Sequence, residues 1–212
     1  MKKILTIIFC SLAVAASAQQ FRYGANVAPT VSFWLVEGDN YVPDGMKVGF
    51  QVGGTIDLTL GDAERFALQS GLNFTSAPGA FKDNPEGLAS NGKAWDYSIT
   101  TLDLPILLRL RSDELGKAVL FAQYGLTLGF TLTEKITVND GKNGGSSFDY
   151  EGSNTSLSMG AGAEFGLDND KTLVFTGFFQ NGIKNMVVNT NNPENDSRYF
   201  PQQIGLRATM LF

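Results

Sequence analysis

Apolar and polar residues alternate with period two through most of this chain, which places successive side chains on opposite faces of extended strands. The stretch 118–133 carries the pattern most clearly. Ala118, Leu120, Ala122, Tyr124, Leu126, Leu128, Phe130 and Leu132 fall on one face, against Gln123, Gly125, Thr127, Gly129, Thr131 and Thr133 on the other. A helical period would scatter both sets. Seven further segments repeat the alternation: 22–33, 47–60, 66–75, 100–111, 156–167, 173–180 and 199–212. The segment 173–180 is the least regular, because Val174 and Phe178 fall on its polar face. The pattern predicts an all-β chain of eight strands.

The connections sort by length. Short turns at 61–65, 112–117 and 168–171 alternate with longer segments at 35–46, 77–95, 136–154 and 187–198. That asymmetry predicts an eight-stranded antiparallel up-and-down transmembrane β-barrel in the outer membrane. The long loops are then extracellular, and an even strand number leaves both termini periplasmic beside the short turns. The barrel is closed, because lipid tolerates no unpaired backbone edge. Pro105 lacks a donor within the strand 100–111, so a bulge is expected near it.

Alternation alone does not say which face is inside, and a soluble small-ligand carrier with an apolar interior would share it. The polar face here is mostly Gly, Ser, Thr, Gln and Asn. A soluble surface needs about 25 to 35% charged residues of mixed sign. The polar face is therefore read as a lumen, and at eight strands a lumen is filled by side chains rather than open. Its charges need partners, which predicts an ion-pair network drawn from Asp57, Asp103, Arg109, Glu164 and Arg207.

Residues 1–18 read as a signal peptide: Lys2 and Lys3, an apolar run from Ile4 to Ala15, then the small-residue site Ala16-Ser17-Ala18. The barrel domain is 19–212. The apolar run is shorter than the roughly 20 residues a membrane-spanning helix needs. The only cysteine, Cys10, lies within the leader, so no disulfide supports the exported chain.

Charge and chemistry narrow the function. The chain has 16 basic and 21 acidic residues and no basic run, which argues against a nucleic-acid partner. Counted over 35–44, 79–95, 137–153 and 187–197, the four long loops hold ten acidic and three basic residues, so the negative field is concentrated there. Aromatic residues near strand ends, Trp95 and Tyr199, together with the terminal Phe212, are candidate membrane-interface anchors. The sequence contains no histidine, which removes the usual general base of membrane hydrolases and acyltransferases. No enzymatic activity, cofactor or metal site is expected. Outer-membrane lipid is the expected surrounding, and a protein partner could dock on the loops.

Four stretches, LDLPILLRLR (102–111), FAQYGLTLGF (121–130), GAGAEFGL (160–167) and the closing IGLRATMLF (204–212), resemble the PorT-like outer-membrane β-barrel proteins of the Bacteroidota. The terminal Phe212 resembles the aromatic ending read by barrel-insertion machinery. The resemblance implies an outer-membrane barrel, and for the namesake type an accessory part in type IX-like secretion or envelope assembly. It implies no catalytic or ligand-binding residue.

Overall fold

The computed structural model describes residues 21–38, 41–61, 65–83, 94–138, 148–150, 152–167, 171–189 and 198–212. The expected leader 1–18 lies outside them, as does most of the acidic loop sequence. Eleven strands follow one another: β1 (Phe21–Glu37), β2 (Tyr41–Pro43), β3 (Lys47–Leu60), β4 (Phe66–Asp83), β5 (Ala94–Leu115), β6 (Ala118–Val138), β7 (Phe148–Tyr150), β8 (Ser153–Gly166), β9 (Thr172–Gly182), β10 (Val187–Asn189) and β11 (Arg198–Leu211). Eight of them close a barrel in the order β1-β3-β4-β5-β6-β8-β9-β11, each antiparallel to its neighbours. β2 adds to the far end of β4, and β7 pairs with β10 above the barrel wall.

Tyr23 and Phe212 exchange backbone hydrogen bonds of 3.3 and 2.8 Å where β1 meets the end of β11. This end of the barrel also carries the short turns, and we call it the turn end. The opposite, loop end carries the long connections.

The alternation resolves into an inside and an outside. Exposed positions are apolar: Val48 is 79% accessible, Leu206 71% and Leu72 54%. Buried positions are dominated by Asn26, Gln51, Thr55, Asp57, Gln69, Asn73, Asp103, Arg109, Gln123 and their like. This is the reverse of a soluble barrel, whose burial is apolar, and it is the arrangement a lipid solvent selects. The irregularity in β9 has a local cause. Val174 packs inward with Phe121 and Leu211, and Phe178 lies beneath the Arg207 guanidinium at 4.5 Å from its ring centroid.

Two expectations are corrected. No bulge occurs at Pro105. Its register to β6 is continuous, and towards β4 the ladder omits only Leu104 and Pro105 opposite Gly71 and Leu72, with equal numbers of residues on both strands. The missing donor interrupts pairing without shifting it, and Ser70 Oγ donates to the Pro105 carbonyl at 2.9 Å. The register shifts lie elsewhere, between Thr100 and Thr101, where Leu132 is the extra residue on β6, and between Arg111 and Glu114.

The second correction concerns the segment 77–95, expected to be one of the four long loops. β4 and β5 stay paired to Lys82 opposite Ala94. β5 has 22 residues, which at about 3.3 Å each outreaches the roughly 25 Å apolar band of a membrane barrel even when tilted. The walls therefore rise past the apolar belt at the loop end.

Candidate functional site

The lumen is stacked in three layers, each set by which residue type a strand places inward at that height. Nearest the turn end is a charged layer. Arg109, 1% exposed, donates from Nη1 to Asp57 Oδ2 at 2.8 Å and Glu164 Oε1 at 2.9 Å. Its Nη2 donates to Gln69 Oε1 at 2.9 Å and Gln123 Oε1 at 3.0 Å. Arg111 holds the same two carboxylates, Glu164 at 2.8 Å and Asp57 at 2.9 Å, and Arg22 reaches them at 3.2 and 3.4 Å. Three guanidiniums thus share two carboxylates from β3 and β8. The planar guanidinium fork makes this possible, because one Arg can bond several oxygens in fixed directions.

The middle layer is amide-rich and holds one Arg and one Asp. Arg207 Nη2 donates to Gln51 Oε1 at 2.7 Å, and Gln51 Nε2 in turn donates to Gln180 Oε1 and Gln203 Oε1 at 2.9 and 3.0 Å. Asn26 bridges Thr55 and Asn73 at 2.9 Å each. Asp103 accepts from Thr75 Oγ1 at 2.6 Å and from Thr101 Oγ1 at 2.7 Å. Buried polar groups of this density are tolerable because most of them satisfy one another, although Asn26 Oδ1 and Arg207 Nε are buried without a hydrogen-bond partner.

At the loop end the lumen is closed by aromatic side chains. Trp34, Phe81, Tyr97, Ile99, Met186 and Tyr199 form a buried cluster, with Tyr41 and Trp95 packed against it. Phe81 lies 4.9 Å from Tyr199, 5.1 Å from Tyr97 and 5.4 Å from Trp95, ring centroid to centroid. Gly79 makes the seat for Trp34, since a Cβ there would overlap the indole ring.

The structure brings together Asp57, Arg109 and Glu164 of the five residues expected to form one network. Asp103 and Arg207 are not in it. Both point inward but stand higher on their strands, and among the described residues neither forms an ion pair within 4 Å. Arg22 and Arg111 take their places. Arg111 was legible, being two residues beyond Arg109 on the same face of one strand.

The anchor assignment is also corrected. Tyr199 is 1% exposed and Trp95 is half-buried, both inside the plug, because they share the inward parity of Gln203 and Arg207 on β11 and of Asp103 and Arg109 on β5. Phe212 is 46% exposed at the turn-end rim, 6.1 Å from Tyr23, with the Lys171 ammonium 5.5 Å from its ring centroid. No group of three or more His, Cys, Asp or Glu is placed to hold a metal among the described residues.

Residues 17–188 match the family described as outer membrane protein beta-barrel domain. No curated protein sequence matches the chain. Among solved structures, OprG from Pseudomonas aeruginosa is similar over 90% of this chain and 96% of its own, with a TM-score of 0.50 and 13% identity. Neisserial surface protein A covers 90% of this chain and 97% of its own at a TM-score of 0.44 and 11% identity. Ail, the attachment invasion locus protein of Yersinia pestis, covers 91% and 99% at a TM-score of 0.42 and 16% identity.

Proposed function

The chain belongs to the outer membrane protein beta-barrel domain family, and from that premise we propose that it is a non-catalytic, plugged barrel that acts by contact, through the segments at its loop end. The observation that supports this reading is the filled lumen. A charged layer, an amide layer and an aromatic plug occupy it in turn, which leaves no aqueous channel for a porin role. The absence of histidine from the sequence argues in the same direction against hydrolytic chemistry. What the barrel offers is a rigid stand that raises β4, β5 and β6 past the apolar belt.

In this reading the loop end is extracellular, the turn end periplasmic, and insertion uses the cell's barrel-assembly machinery. An accessory role in a type IX-like secretion or envelope-assembly machine rests on the PorT-like resemblance of LDLPILLRLR and IGLRATMLF alone. The sequence after the leader has no cysteine, so orientation is open to a clean test. A membrane-impermeant maleimide should label Met46→Cys on intact cells and leave Lys117→Cys unlabelled until the envelope is opened. The reverse pattern would turn the barrel over. In planar bilayers the wild-type protein should not conduct, and steady single-channel currents would sink the plugged reading. Photo-crosslinkers placed at Met46 in living cells then separate a loop-end protein partner from none. An unchanged secreted-protein profile on deletion removes the secretion role.

A further inference from the structure

We propose that the outer wall at the loop end binds a lipid phosphate, that of a phosphorylated glycolipid of the outer leaflet, between Lys47 and Lys135. The inference rests on the reading above that places the loop end outside the cell. On β4, β5 and β6 the outward face turns from apolar to polar at one height. Phe74, Leu102 and Phe130 stand opposite one another in an apolar row, and Ser76, Thr100 and Thr133 form the outward row above it. That row of hydroxyls marks the upper limit of the apolar belt on this side. The next outward row is Pro78, Ser98 and Lys135. Two residues advance about 6 to 7 Å along a strand, so Lys135 stands at the height of lipid headgroups rather than among acyl chains.

A groove of about 380 Å³ opens here, lined by Lys47, Pro78, Asp96, Ser98, Lys135 and Thr137. Lys47 Nζ bonds Asp96 Oδ1 at 2.9 Å, with the two side chains 40% and 50% exposed. An exposed pair of this kind contributes little, so Lys47 can exchange its partner at small cost. Lys135 is exposed and, among the described residues, forms no ion pair. Two ammoniums against one carboxylate leave one positive charge for an anion, and the exposed hydroxyls of Ser98 and Thr137 add donors beside it. Lysine binds phosphate as a point charge, and basic pockets of membrane proteins take up anionic headgroups. The net negative charge of the long loops opposes a freely diffusing anion. A lipid phosphate arrives laterally instead, held at this height by its own acyl chains. In the outer leaflet of outer membranes the phosphate-bearing lipid is a glycolipid.

The test uses the full exported chain refolded from urea into detergent without divalent cations, titrated with lipid A and read by native mass spectrometry. Wild-type protein should take up one lipid A per chain, and dephosphorylated lipid A and phosphatidylglycerol should each bind several-fold more weakly. Lys135→Gln and Lys47→Gln should each weaken lipid A binding several-fold. Asp96→Asn should strengthen it, because the competing carboxylate is gone, and Lys117→Gln at the turn end should change nothing. Gel mobility checks that each variant is a folded barrel. Binding that none of the groove variants alters would place the lipid elsewhere and overturn the proposal. Equal uptake of dephosphorylated lipid A would reduce the contact to acyl chains and overturn it too, and equal uptake of phosphatidylglycerol would overturn the glycolipid source. The underlying orientation fails separately. Reversed maleimide labelling of Met46→Cys would carry an intact site to the inner leaflet and overturn its outer-leaflet source, whereas normal labelling without lipid A uptake would overturn the site alone.

Discussion

Arg109 and Asp57, 52 residues apart in the chain, meet across the lumen in a 2.8 Å ion pair from which solvent is excluded. The pair is not isolated, because Arg111 and Arg22 also bond Asp57. Asp57→Ala would leave three guanidiniums sharing Glu164 alone, and removing one partner of a buried pair costs about 3 to 5 kcal/mol. Urea unfolding in lipid vesicles should register that loss. Arg22→Ala, with its longer contacts and 20% exposed side chain, should cost far less. Equal effects of the two would mean that the layer is solvated and that the buried pair contributes little.

The lipid-facing assignment gives a second prediction, at Leu206. It lies on the outer face of β11, between the inward Gly205 and Arg207, and is 71% exposed. Leu206→Arg should destabilise the barrel in a bilayer by about 2 to 4 kcal/mol if the position is near the midplane. Leu206→Ala should be much milder. In a soluble carrier the Arg variant would be harmless, so a near-zero difference between Leu206→Arg and Leu206→Ala in vesicle refolding would overturn the membrane face.

Strand number, closure and the two faces were legible because period-two alternation persists wherever one face meets lipid and the other a polar lumen. The charged layer was half legible. Parity placed Asp57, Arg109 and Glu164 inward, yet it could not give height along a tilted strand, which separates Asp103 and Arg207 from the cluster. Trp95 and Tyr199 were misread as anchors by their nearness to strand ends, although their own parity points inward. The plug was hidden for another reason. Pro78 and Gly79 look like strand breakers, but Gly79 is there to admit the Trp34 ring. Past the extra residue Leu132, the parity of β6 reverses, so Ile136 joins the plug opposite Tyr97 where simple alternation would send it outward.

The plug supplies a third prediction. Gly79→Ala would force the Trp34 indole from its seat, an overpacking that costs about 1 to 3 kcal/mol. The chain has only two tryptophans, Trp34 and Trp95, and both belong to this cluster. Intrinsic fluorescence therefore reports on the plug directly. The Gly79→Ala protein should emit at longer wavelength than wild type while the barrel still folds by its gel mobility. An unshifted spectrum would mean that the indole is not packed over Gly79.

Phe212 gives the last prediction, and it separates assembly in the cell from stability of the finished barrel. Its ring lies outside, against Tyr23 and beneath Lys171, while its backbone closes the β1–β11 seam through hydrogen bonds that any residue could make. With 46% of the residue exposed, truncation removes little packing inside the protein. Phe212→Ala should therefore refold from urea into detergent with a stability within about 1 kcal/mol of wild type, as surface truncations away from buried features usually do. If the terminal aromatic is read during insertion, the same variant should accumulate several-fold less in the outer membrane of growing cells, with the deficit recovered as unfolded periplasmic chain or proteolytic fragments. Normal accumulation would restrict Phe212 to an interface contact. A large loss of stability in detergent would instead make it a structural residue of the seam.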